Sequence, residues 1–203
     1  MNNLTDEGTL MDAIEAFFEY AEHSFTKDEV KLRARKMLEK CIENGTGFLR
    51  THIVVDEIVG TGFLESICEI KEEYKAFIDI QIIAMMGTLC LTEGQNKSLK
   101  RAADYDIIGY RGAPTLCENP FAVVDFLFEL ALENNKLIDL HIDESDDANV
   151  DVLEYVIKKA KALDFENETT VGHITALSAV SEERSNEIIN QLKNSEINVV
   201  TLP

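Results

Sequence analysis

His141-Ile-Asp-Glu144 closes an apolar run, Leu137-Ile-Asp-Leu140, and a second run, Thr169-Thr-Val-Gly172, closes on His173. Chemistry carried at the exits of successive parallel strands is how a (β/α) barrel builds an active site. At such an exit His141 could ligate a metal or hydrogen-bond a substrate. Glu144, one short step along the loop, could pass protons between an activated water and a leaving group. The same spacing suits two histidines that merely end strands and a glutamate in a solvated acidic loop. Perturbed groups occur in structural networks as well as in sites, so the spacing alone leaves both open.

The elements that must position these residues recur along the chain. Extended apolar runs cover Phe48 to Val55, Phe77 to Ala84, Tyr105 to Gly109, Leu137 to Ile142, Thr169 to Gly172 and Ile197 to Thr201. Their centres lie roughly thirty residues apart, the size of a βα unit. Between them the period turns helical: Val124, Leu127, Phe128 and Ala131 share one face, as do Leu153, Val156, Ile157 and Ala160. Helix ends are marked by Thr26-Lys-Asp-Glu29 ahead of Val30 to Glu43 with Gly45 beyond, by Asn119-Pro120 ahead of Phe121 to Leu132, and by Ser181-Glu-Glu183. An extra amphipathic segment, Leu10 to Tyr20, comes first.

Strands alternating with helices mean a parallel sheet, either doubly wound and open or closed as a barrel. Gly60-Thr-Gly62 lacks the third glycine of a dinucleotide turn, and no P-loop is present. Histidines at adjacent strand exits favour the barrel. The expectation is an α/β fold, a TIM-type (β/α) barrel of the metal-dependent hydrolase kind, incomplete at about six of eight units. No linker interrupts it, so residues 1–203 are expected to form one partial barrel domain. Its first and last strands would be bare edges, which natural proteins avoid.

Composition narrows the partners. With 19 Lys and Arg against 38 Asp and Glu, the formal net charge is −19. Such a surface repels phosphate backbones and anionic lipid, so nucleic acid and membrane are poor partners and a small-molecule substrate is the better one. No run has transmembrane length, and the first twenty residues carry acids where a signal peptide carries base. The 4 cysteines (Cys41, Cys68, Cys90, Cys117) form no C-x-x-C pair. They read as reduced thiols in a cytoplasmic protein and exclude the Cys-ligated deaminase signature.

Gly8-Thr-Leu10, Arg50-Thr-His52, Ile78-Asp-Ile-Gln-Ile-Ile-Ala84, Ile138-Asp-Leu-His-Ile-Asp-Glu-Ser-Asp-Asp147, Gly172-His-Ile-Thr-Ala-Leu177 and Ile197-Asn-Val-Val200 follow one another in a familiar order. Together they resemble the cytosine deaminase group of the amidohydrolase superfamily over essentially the whole chain. The resemblance implies hydrolytic deamination of a cyclic nitrogenous substrate such as cytosine by a metal-activated water, with iron or zinc as the divalent metal. It implies His141 as the metal ligand of the fifth barrel strand, Glu144 as proton shuttle, and His173 as the residue that orients the attacking oxygen. Asp143, Asp146 and Asp147 belong to the same motif as loop-shaping or substrate-adjacent residues. His52 on the second strand is either a supporting residue or a satisfied interior histidine.

The departures bear on activity. The family's H-x-H metal pair would precede Gly8, and its eighth-strand aspartate would follow Pro203; neither is in this sequence. The chain is therefore expected to span the second to seventh strands, with no tight metal site of its own, because His141 and at best His173 cannot make a three-ligand centre. The alternatives are a non-catalytic remnant, or a split barrel completed by another chain or further copies. Gly87 stands where the family's third strand carries a glutamine that reads the pyrimidine amide, and Val54 replaces an acid. Both changes turn the expected substrate away from cytosine itself. His23 reads as a helix-end residue, and Met85 and Met86 as packing.

Overall fold

The capping signals form as the sequence predicts. In a computed structural model, which describes residues 10–24, 26–87 and 91–201, the Thr26 side chain accepts from Glu29 N at the start of α2 (Lys27–Glu43). Asn119 accepts from Ala122 N with Pro120 in the first helical position of α5 (Pro120–Asn134). Ser181 accepts from Arg184 N at α7 (Glu182–Lys193). The remaining helices are α1 (Leu10–His23), α3 (Gly62–Tyr74), α4 (Glu93–Ala102) and α6 (Asp151–Ala162). Gly8 and Cys90 lie outside the described residues.

The strands are β1 (Phe48–Val55), β2 (Asp79–Met86), β3 (Gly109–Arg111), β4 (Leu137–Ile142), β5 (Thr169–His173) and β6 (Ile197–Val200). They form one sheet in the order β1-β2-β3-β4-β5-β6, every pair parallel. Strand order never reverses, so there is no switch point and the doubly wound alternative falls. The sheet is the arc of an incomplete barrel.

Two strands, β2 and β3, start later than the apolar runs predict. Phe77 N and Ile78 N donate to Tyr74 O, finishing α3 and delaying β2 to Asp79. Tyr105 N donates to Ala102 O and Ile107 N to Tyr105 O, so the expected strand from Tyr105 is spent in turns after α4. β3 starts where that strand was expected to end, which puts Arg111 on the sheet.

Period-2 alternation then sorts the side chains. The outer face carries Ile80, Ile82, Ala84, Tyr110, Ile138, Leu140, Ile142 and Val171, all buried in one core with Leu64 and Ile70 of α3, Leu99 of α4, Leu127 and Phe128 of α5, and Leu153 and Val156 of α6. Truncating a fully buried ring such as Phe128 would cost about 3–5 kcal/mol. The inner face is polar instead of packed with branched aliphatics. Arg50 donates from Nε to Gln81 Oε1 at 3.0 Å and from Nη1 to Glu168 Oε1 at 2.8 Å. Its Nη1 also lies 3.6 Å from Asp139 Oδ2, which His52 Nε2 approaches at 3.2 Å. These contacts tie the edge strand β1 to β4 and to the start of β5 across the concave side.

Outside, α2 and α3 are laced by Lys27–Glu65, Lys31–Glu69 and Arg35–Glu73, each pair one helical turn beyond the last. Phe48 on β1 and Val199 and Val200 on β6 are exposed along the two sheet edges. Among the described residues no helix is long and apolar enough to cross a membrane.

Candidate active site

β4 and β5 deliver His141 and His173 to one mouth, but by different means. His141 pairs with Gly172, and Ile142 pairs with His173. Ile142 is buried in the outer core, so alternation alone would send His173 outward as well. Instead His173 has φ 70 and Ile174 φ 47, a left-handed pair for two non-glycine residues, one of them β-branched. The turn swings the His173 ring inward, edge-on to His141, with centroids 4.4 Å apart and planes at 79°.

Such backbone strain persists only where neighbours over-determine it. Ile174 N donates to Ile142 O, Ala176 N to Asp143 O, and Thr175 Oγ1 to both Asp143 O and Ser145 O. Asp143, itself at φ 51, donates its N–H to Thr115 Oγ1 at 2.9 Å and accepts from Leu153 N at Oδ2. It is 1% exposed, and burial pushes its carboxyl up to about 6. Asp143 thus stitches the β4 loop to the start of α6 through Oδ2, and its Oδ1 is buried with no hydrogen-bond partner among the described residues. Asp146 and Asp147 lie exposed in the same loop.

Glu144 completes the cluster. One ligand atom from each of His141, Glu144 and His173 lies within 4.8 Å of the others, and His173 Nδ1 is 3.4 Å from Glu144 Oε1. Two imidazoles and a carboxylate are a donor set that suits zinc or iron. The residues fit a divalent ion, and the fold brings three donors together where the sequence reading counted at most two.

The other expected residues fall around this cluster. His52 lies on the inner face beside Asp139, its ring 6.0 Å from that of His141. His23 is exposed at the end of α1, and Met86 packs in the core. Gly87 follows β2, and a Cβ built there would meet Asp56 Oδ2 at 2.4 Å and Val54 Cγ1 at 2.7 Å. Asp56 is fixed in place because its Oδ1 accepts from Ile58 N and Val59 N. No side chain larger than hydrogen fits at position 87 without moving that turn.

One residue escaped the sequence reading. Arg111 is 2% exposed, and its Nε and Nη2 find no hydrogen-bond partner among the described residues. Burial pushes its guanidinium down to about 10, against the opposing pull of Asp139 and Glu144. Its signal is a single arginine inside the apolar stretch from Ile107 to Pro114, just beyond the Gly109 end of the expected strand.

No family model matches the sequence. N-isopropylammelide isopropyl amidohydrolase of Pseudomonas sp. strain ADP is 28% identical over 192 residues, 93% of this chain and 47% of that protein. Pterin deaminase of Rhizobium rhizogenes is 24% identical over 200 residues, 97% of this chain and 45% of its own length. The solved 5-methylcytosine deaminase of Klebsiella pneumoniae, liganded with phosphonocytosine, superposes with a TM-score of 0.87 at 25% identity, over 95% of this chain and 47% of that one. The chain spans about half the length of the curated relatives it matches. In sequence and in fold, the chain is a relative of the amidohydrolases and resembles their cytosine-deaminase-like group.

Proposed function

We propose that this chain carries the proton-handling half of a metal-dependent deaminase acting on a cyclic nitrogenous substrate. The observation that carries the reading is the convergence of His141, Glu144 and His173 at two neighbouring strand exits, held there by a strained backbone. His141 and His173 would hold or face an iron or zinc ion, which when bound supplies the Lewis acidity that makes water nucleophilic near neutral pH. Glu144, half-exposed at the mouth, takes a proton from the attacking water and passes it to the ring nitrogen; the hydroxyl now on the ring carbon then gives its proton through Glu144 to the amino group, which leaves as ammonia as the ring carbonyl forms. His173 Nδ1 holds the Glu144 carboxylate on the side where that proton is exchanged. Asp143 keeps the loop in register without touching the chemistry.

Residues 1–203 make one partial barrel domain in this reading, and the open edges at β1 and β6 are covered in the working enzyme by further strands, from the same polypeptide or another. Cys41 and Cys68 are free thiols, which suits a reducing compartment such as the cytoplasm. Gly87 supplies no amide-reading side chain, so cytosine itself is a poor substrate among amino-substituted rings.

The test is ammonia release, with added iron or zinc, by the chain joined to the strands that close a related barrel. Glu144→Gln should lower turnover by about 10²–10⁴-fold with bound metal unchanged, the loss expected for general acid–base catalysis. Near-full turnover in Glu144→Gln would remove that residue from the mechanism.

A further inference from the structure

Tyr110 and Ile138 are paired across β3 and β4, and both point into the outer core. The next residue along each strand, Arg111 and Asp139, therefore points into the concave side. On its other flank Arg111 is in register with Met85, two residues before Gly87. Just past it, Gly112 O accepts from His141 N at 3.0 Å, which joins the end of β3 to the strand that carries the metal-ligand candidate. Arg111 thus occupies the inner wall between the β2 exit and His141.

Its charge has no direct ion-pair partner among the described residues. Asp139 is engaged by His52 and Arg50, and Glu144 by His173. No ion pair to Arg111 within 4.0 Å is found among the described residues, and Nε and Nη2 are both buried without an acceptor. A buried donor left unmade costs about 1–3 kcal/mol, and more when charged, so an unsatisfied guanidinium calls for a partner. Nε–H and Nη2–H lie side by side in one plane and match a planar pair of acceptors, not a point charge.

We propose that Arg111 is the specificity residue of this site, taking by two parallel N–H bonds an anionic oxo edge of the substrate ring, a carbonyl oxygen next to a deprotonated nitrogen. The proposal rests on the deaminase reading above and names its substrate class. Among the described residues the β2 exit ends on Gly87, which carries no side-chain donor for a ring oxygen, whereas Arg111 on the adjacent strand does. A ring edge bearing amino groups alone would set donor against donor and be rejected, because a site built to bond one group discriminates strongly against its absence. Arg111 is the last residue of β3, at the strand exit itself, and its long stem lets the fork turn toward the mouth.

Calorimetric titration of the 203-residue protein in the presence of chelator tests this without metal or turnover. The probes are barbiturate as a planar oxo-ring anion, 2,4-diaminopyrimidine as an amino-only ring, and acetate as a simple carboxylate. Barbiturate should bind at least about tenfold more tightly than either comparator, and Arg111→Lys and Arg111→Met should each lose that preference. Equal affinities, no barbiturate binding, a preference for acetate, or a preference that survives in Arg111→Lys would each overturn the proposal. If Arg111→Met does not fold, the preference of the unaltered protein and the Arg111→Lys result decide. Because chelator is present, failure of the metal site leaves this result standing. Failure here, with zinc still bound through His141, sinks Arg111 alone.

Discussion

The rings of His141 and His173 meet edge to face at 4.4 Å although their strand positions should send them to opposite sides of the sheet. The left-handed turn at His173 and Ile174 makes the difference, so the pair exists only while that turn holds. Gly172 lies against the His141 ring, where a Cβ would sit in ordinary contact with Cδ2 at 3.4 Å.

Zinc affinity should report on this pair. Competition against a zinc indicator should show His141→Ala and His173→Ala each weakening binding by about 10–100-fold. The unaltered 203-residue chain should still lose its zinc on dialysis against a mild chelator, because with Glu144 handling protons His141 and His173 are left as the two ligands of the cluster, fewer than the three a catalytic zinc site takes. Stoichiometric zinc surviving dialysis would mean that a further residue, or a second copy of the chain, completes the shell.

Thr115 should matter more than its place in a short turn suggests. It accepts the N–H of Asp143, a residue held at positive φ. Thr115→Val keeps the shape but strands that donor, and should lower stability by about 1–3 kcal/mol in urea unfolding. A loss within error of zero would show that water replaces the hydroxyl and that the loop is not held from this side.

Gly87→Ala should destabilise by about 1–3 kcal/mol, the usual range for overpacking, because the Asp56 turn and Val54 already fill the space. Adding Val54→Ala should recover part of the loss. No loss in the single variant would mean the Asp56 turn gives way freely, and a glutamine could then be restored at this position.

Glu65 sets an acid limit on the α2–α3 contact. Lys27, Tyr105 and Thr61 all donate to its carboxylate and hold it down at about 2, below its ordinary value of 4.5. A depressed carboxylate contributes stability that is present above pH 4.5 and lost as pH falls toward 2. Melting temperatures of Glu65→Gln and the unaltered protein should therefore differ at pH 6 and converge by about pH 2–3. A gap that stays constant across that range would assign the effect to packing.

Much of this was legible in the sequence. β1 and β4 begin and end where the apolar runs do, and the caps at Thr26, Asn119 and Ser181 form because each needs only its own neighbours. His141, Glu144 and His173 converge because strand exits in a parallel sheet share one end. What was hidden depends on partners distant in sequence or on a single torsion. The 118-residue separation of Arg50 and Glu168 leaves no local pattern. The inward swing of His173 comes from φ, which periodicity does not encode. Arg111 was lost because turns after α4 consumed the residues that looked like a strand.

The Arg50–Glu168 contact has a consequence for how the sheet meets whatever covers its edges. A side chain on the outermost strand touches the lead-in to β5, so the curvature is fixed by the chain's own chord across the hollow. Strands arriving at β1 and β6 would enter a slot of preset width, and association would resemble fitting a keystone more than bending a ribbon. Rigid docking of that kind needs little backbone movement at the contact. Any covering strand must therefore match a gap that Arg50 and Glu168 have already measured.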